Sequence, residues 1–221
     1  MKTKKELTRI NQIFTLLKNE YPNTKPQLEY SNPLQLLIAT ILSAQCTDAR
    51  VNIVTKDLFK KYISAEDFAN ANILELEKLI FSTGFYKQKA KSIKGCCSQL
   101  IEKYNGKVPQ DFELLTKLPG VGRKTASVVA GHAFNIPAIA VDTHVNRITN
   151  LLGIVDSKNP DKIETELKEL LPEEDWVNST HWFINHGRNV CIARRPKCEI
   201  CIVEKYCPSS KLKPEKENGK K

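Results

Sequence analysis

The stretch PLQLLIATILSA, Pro33 to Ala44, decides the fold. It is the longest apolar run of the chain, interrupted by Gln35 and Thr40, and it is too short to cross a bilayer. Asn32 in front of it is a helix cap, and Pro33 suits a first helical turn. A helix that is apolar on nearly every side needs neighbours all round it, so this one is expected at the centre of a helical bundle.

Working outward, Ile10, Ile13, Phe14 and Leu17 follow the i, i+3, i+4, i+7 spacing of an amphipathic helix that Pro22 and Pro26 close. After the central helix, the periodicity predicts helices near 49–61, 64–70, 72–82, 87–104, 111–117, 123–135, 143–152, 160–171 and 179–188. Ser64 and Asn72 serve as caps, and Asn105-Gly106 and Gly153 as stops. Only AIAV, 138–141, resembles a strand, and it stands alone. The fold class is all-α. The connector FNIPAIAVD, Phe134 to Asp142, breaks the helical pattern and marks the passage between two lobes, placing a cleft between Lys124 and Asp142. The expected division is 26–136 as one domain, 1–25 with 137–209 as the other, and 210–221 as a disordered basic tail.

A chain of 221 residues with 41% hydrophobic content suits a globular protein of one large core or two smaller ones. Its first residues, MKTKKELTRI, carry charge with no apolar segment behind them, so no secretory signal is expected and the cytoplasm is the expected location. Of the formal net charge of +9, the tail KLKPEKENGKK accounts for +3 and leaves +6 on the body. A basic body favours a polyanion, and nucleic acid comes ahead of a membrane surface because no strongly basic amphipathic helix is present.

In LPGVGRKT, Leu118 to Thr125, Gly120 and Gly122 flank Val121 in a turn with little side chain, followed by a helix start. Such a turn brings backbone amides close to a ligand, and a phosphate is the right size, although an ordinary helix hairpin also uses glycine here. It is not a nucleotide P-loop, since it lacks the Gly-Lys-Ser/Thr ending and follows a helix instead of a strand. A lysine attacks carbon only as the free amine, the minor form at neutral pH given a reference pKa of about 10.4. The helix start and neighbouring Arg123 both disfavour the ammonium at Lys124, and partial burial in a cleft adds to that. On residue type alone Lys124 is most often a solvated helix lysine, and Asp142 most often the cap of THVNRITNLL.

Seven cysteines include four at Cys191, Cys198, Cys201 and Cys207, a C-x6-C-x2-C-x5-C array that suggests a metal in a reducing compartment. Four thiolates suit zinc or an iron–sulfur cluster, and the single C-x2-C pair mildly disfavours zinc. Cys46, Cys96 and Cys97 lie in apolar helical patterns and are expected in the core. His132, His181 and His186 show no ligand spacing, and His144 reads as structural or close to a phosphate.

LPGVGRKTA and VDTHV, Val141 to Val145, together resemble the endonuclease III family of DNA glycosylases from about Tyr30 through Cys207. The first looks like its helix-hairpin-helix, and the second like the segment that carries its catalytic aspartate. The separation of Lys124 from Asp142 and the cysteine array also match the family pattern. The resemblance implies two helical lobes with the active site in the cleft between them and a [4Fe–4S] cluster on the four cysteines. It implies a base-excision-repair glycosylase and AP lyase that removes oxidised pyrimidines from double-stranded DNA. Lys124 would attack C1′, form a Schiff base and promote β-elimination of the 3′ phosphate, with Asp142 stabilising charge and assisting proton transfer. Gly120, Val121 and Gly122 would hold a DNA phosphate, and Gln45 of SAQCTD and Phe85 of TGFYKQKA would fill the space of a flipped base. Arg194, Arg195 and Lys197, between the first two cysteines, would meet phosphates on a loop that the cluster holds rigid. A monomer is expected. A related adenine-specific mismatch glycosylase would carry a glutamate in the helix before Gln45, which LLIATILSAQ lacks, and a helix-hairpin-helix module that only binds DNA would have no need of Lys124 and Asp142.

Overall fold

The computed structural model describes residues 2–22 and 26–212; of the predicted tail, 210–221, residues 213–221 lie outside the described residues, while the Ser210 hydroxyl donates to Glu204 Oε1 at 2.5 Å. Among the described residues, eleven α-helices and four short 3-10 turns form the chain, with no strand. No helix is long and apolar enough to cross a membrane. The chain divides into a central lobe, Pro26–Ala140, and a terminal lobe made of the described residues before it and those from Val141 onward.

In the central lobe the helices are α2 (Pro33–Leu42), α3 (Asp48–Lys61), α4 (Ala65–Asn70), α5 (Ile73–Ile80), α6 (Tyr86–Tyr104), α7 (Phe112–Thr116) and α8 (Arg123–Phe134), after α1 (Lys4–Glu20) of the terminal lobe. Every residue of α2 from Leu36 to Leu42 is buried, as its all-round apolarity requires. The Asn32 side chain accepts from the Gln35 amide at 2.9 Å and starts the helix. Around α2 pack α3, α6 and α8, while α4 and α5 cover α6. Cys96 and Cys97 are fully buried core residues, and burial pushes the Cys96 thiol up to about 12. Cys46 is only half-buried at the edge of the core, because the turn that follows α2 carries it away from the helix.

The terminal lobe joins α1 to α9 (Thr143–Leu151), α10 (Pro160–Leu170) and α11 (Trp176–Asn189). Ile10, Ile13, Phe14 and Leu17 of α1 are its buried face, and the Phe14 ring meets Phe183 of α11 edge to face at 6.4 Å. α11 begins three residues before the expected start, because Glu173 to Asp175 form a 3-10 turn and supply acid at its N-terminal end. The segment 138–140 is buried but makes no strand: with no partner strand to bond, AIAV remains extended connector.

Candidate active site and cysteine centre

In the central lobe the turn between α7 and α8 is fixed by its own backbone. Val121 N–H donates to Leu118 C=O at 3.1 Å, and Leu118 and Val121 place their side chains in the core. Val121 therefore anchors the turn, its side chain in the core and its N–H taken by Leu118 C=O. Gly120 has φ +78°, and a Cβ there would stand 2.6 Å from Ser92 Cβ on α6. Glycine is required on both counts. Gly122 is different: its φ is −90° and nothing lies within 4 Å of a Cβ, so what this position offers is an open surface at the start of α8. No side chain caps that helix from Gly122.

Arg123 turns its guanidinium over the Phe112 ring, 5.0 Å from the centroid, and so stays on the surface of its own lobe. Lys124, the second residue of α8, is exposed. The partial burial expected of it is therefore not supplied by the protein.

Gln45 and Phe85 share a feature that the sequence did not announce. Both have left-handed backbones, φ +54° and +49°, and both side chains are exposed, Phe85 by 66%. The other non-glycine residues with positive φ are Asn105 and Asn135, which end helices, where asparagine tolerates this conformation. Glutamine and phenylalanine lack that tolerance, so Gln45 and Phe85 hold this conformation at a steric cost.

In the terminal lobe Asp142 caps α9. Its Oδ1 accepts from the amides of His144 and Val145, both at 2.8 Å, so one carboxylate oxygen is locked in place by backbone. His181 of α11 is close enough for the Asp142 charge to act on it, yet burial dominates and holds the imidazole below its ordinary range. Sequence reasoning assigned His181 nothing, since residues 39 positions apart carry no local signal of proximity.

The cysteine segment is built from two 3-10 turns, Cys198–Ile200 and Glu204–Tyr206. Cys191, Cys198, Cys201 and Cys207 are free thiols that line one cavity of about 130 Å³ with Arg147 and His186. Among the described residues no three metal-ligating side chains stand close enough to share a single ion. Four separate thiol corners around a roomy cavity fit a polynuclear cluster better than one zinc. Burial raises the Cys201 thiol to about 11, so a thiolate there calls for a cationic centre beside it. Arg147 donates to the carbonyls of Cys191 at 2.6 Å and Gly187 at 3.1 Å, and the His186 ring lies 3.6 Å from Cys201 Sγ. His186, buried and without ligand spacing, thus adjoins the thiols without counting among the four. Arg194, Arg195 and Lys197 are all exposed on the segment between the first two cysteines.

Comparison with known proteins agrees with this arrangement. The family model of the HhH-GPD superfamily base excision DNA repair proteins matches residues 38–173, and that of the iron–sulfur binding domain of endonuclease III matches residues 191–207. Endonuclease III of Synechocystis sp. is 48% identical over 211 residues, 95% of each chain. The structure of a non-covalent endonuclease III–DNA complex superposes with a TM-score of 0.91 at 43% identity, covering 96% of this chain and 98% of that one. A trapped endonuclease III–DNA covalent intermediate superposes equally well, with a TM-score of 0.91 at 43% identity over 96% of this chain and 99% of that one.

Proposed function

Because the chain belongs to the endonuclease III family, and is therefore a DNA-binding base-excision-repair glycosylase and AP lyase with a [4Fe–4S] cluster, we propose that Lys124 and Asp142 perform its chemistry on oxidised pyrimidines. The observation that carries this reading is the exposed Lys124 at the second position of α8, behind a turn whose backbone only glycine permits.

Lys124 Nζ attacks C1′ of the damaged nucleotide, the base departs with the bond electrons, and ring opening leaves a Schiff base between Nζ and C1′. Loss of a C2′ proton then expels the 3′ phosphate, breaking the strand by β-elimination. Asp142 carries negative charge toward the cationic sugar and relays protons, and the two amide bonds to Oδ1 keep it oriented through both steps. The amides of Gly120 and Gly122 hold a phosphate at the start of α8, while Val121, whose own N–H is taken by Leu118 C=O, anchors the turn in the core. Gln45 and Phe85 fill the space left by the flipped nucleotide, and Arg194, Arg195 and Lys197 contact the DNA backbone. Cys191, Cys198, Cys201 and Cys207 hold the cluster, which supplies rigidity to this basic segment and no hydrolytic position. The enzyme acts as a monomer on cytoplasmic DNA.

Borohydride reduction during incubation with abasic-site DNA tests the assignment. The wild-type protein is trapped covalently and Lys124→Ala is not; a trapped Lys124→Ala protein would show that another amine is the nucleophile. Asp142→Asn keeps an oxygen to cap α9 and slows base release about a hundredfold with the fold intact.

A further inference from the structure

Lys89 of α6 is 5% exposed, yet it is not placed to fill space. Its ammonium donates to Leu42 C=O at 2.7 Å and to Thr83 C=O at 2.8 Å. Its own backbone N–H donates to Phe85 C=O at 3.0 Å. Leu42 is the last residue of α2, three positions before Gln45, and Thr83 ends the 3-10 turn Phe81–Thr83, two positions before Phe85. One side chain thus ties together the roots of the two segments whose exposed residues have left-handed backbones.

Burying an ammonium is costly, and a leucine or methionine would fill the same volume without that penalty. A lysine, with three donors at the end of a long stem, reaches both carbonyls at once. The carbonyls gain as well, because each lies at the end of a helical turn where no further backbone donor continues the ladder.

We propose that Lys89 is a positioning residue for base extrusion: it locks the Gln45 and Phe85 segments in register with each other so that both side chains enter the duplex together. The proposal rests on the assignment of Gln45 and Phe85 as the residues that fill the vacated space. Without the bridge each segment relaxes toward ordinary backbone angles, and the enzyme loses base extrusion while keeping its nucleophile.

The test uses full-length, cluster-loaded enzyme and a duplex with a fluorescent adenine analogue opposite the lesion, which reports extrusion directly. Lys89→Met is expected to slow extrusion and turnover of duplex lesions about tenfold, while borohydride trapping on single-stranded abasic DNA, which needs no extrusion, stays within about twofold of wild type. Lys89→Arg, still able to donate to both carbonyls, recovers most of the extrusion rate. If Lys89→Met does not fold, Lys89→Gln replaces it, since its shorter side chain loses both bonds and the charge. Combined with Phe85→Ala, Lys89→Met adds little further loss, because both act through one step. Wild-type extrusion in Lys89→Met, fully additive losses in the double variant, or an equal fall in single-strand trapping would each overturn the proposal. Failure of the underlying wedge assignment shows separately, as unchanged extrusion in Phe85→Ala and Gln45→Ala alone.

Discussion

The turn before α8 and the segment from Cys191 to Cys207 both present backbone and positive charge at a surface, and they are stabilised by opposite means. The turn sits on a finished core: Leu118 and Val121 are buried, and Gly120 lies tight against Ser92. Of the cysteine segment only Val203 is buried, while Ile200 remains 62% exposed. Its internal order comes from polar ties, with Arg147 bonded to Cys191 C=O and the Arg9 guanidinium on α1 bonded to the carbonyls of Leu152, Gly153 and Tyr206 at 2.7 to 2.9 Å. Apolar burial is enough to hold four or five residues of turn against a helix. A longer segment with so little apolar area needs a cross-link, and a cluster held as proposed by the four thiolates would supply it.

That contrast breaks most visibly at the cysteines. Cys198→Ser is expected to abolish the visible absorbance of the cluster and to speed protease cleavage within 191–207 by about tenfold or more, with the helices of the central lobe still protected; peptide mapping of the cleavage sites reads this out. At the turn the matching lesion is one methyl group. Gly120→Ala, strained by both φ and the Ser92 contact, should cost about 2 kcal/mol in a urea titration and leave cluster absorbance unchanged. Gly122→Ala should cost only about 0.5 kcal/mol, and a larger loss there would mean that the open face of the turn is less open than its geometry states.

Acid separates the lobes more gently. Burial keeps the His181 imidazole neutral in the folded terminal lobe, whereas the unfolded chain takes up a proton below about pH 6.5. As the pH falls through that window the unfolded state binds more protons, so stability falls with it, by at most about 1.4 kcal/mol per pH unit. His181→Gln removes its share of that slope, the rest belonging to the buried His186 imidazole held at about 4, and urea midpoints at pH 7 and pH 5 would reveal the difference. The smallest effect belongs to the basic segment: Arg194→Ala should lower the slope of log affinity against log salt by about one unit on undamaged DNA, and the same slope as wild type would remove Arg194 from the phosphate contacts.

Much of this was legible in the sequence because it is local. The all-round apolarity of Leu36 to Leu42, the caps at Asn32, Ser64, Asn72 and Asp142, and the stops at Asn105 and Gly153 each depend on a few neighbours, and each took the expected form. What escaped depends on packing between distant segments. The start of α11 was displaced by an acidic 3-10 turn that has no apolar periodicity. The left-handed backbones of Gln45 and Phe85 and the burial of Lys89 are set by how loops land on helices, and nothing in their immediate sequence encodes it.

The path of the chain through the two lobes imposes an order on synthesis. The central lobe is one continuous stretch and can close as soon as residue 140 has emerged, whereas the terminal lobe takes its first helix from the beginning of the chain and its cysteines from near the end. α1, with its apolar face of Ile10, Ile13, Phe14 and Leu17, therefore waits unpartnered while more than a hundred residues are made. The three carbonyls that Arg9 binds, at Leu152, Gly153 and Tyr206, all lie on the late-made side of that interval.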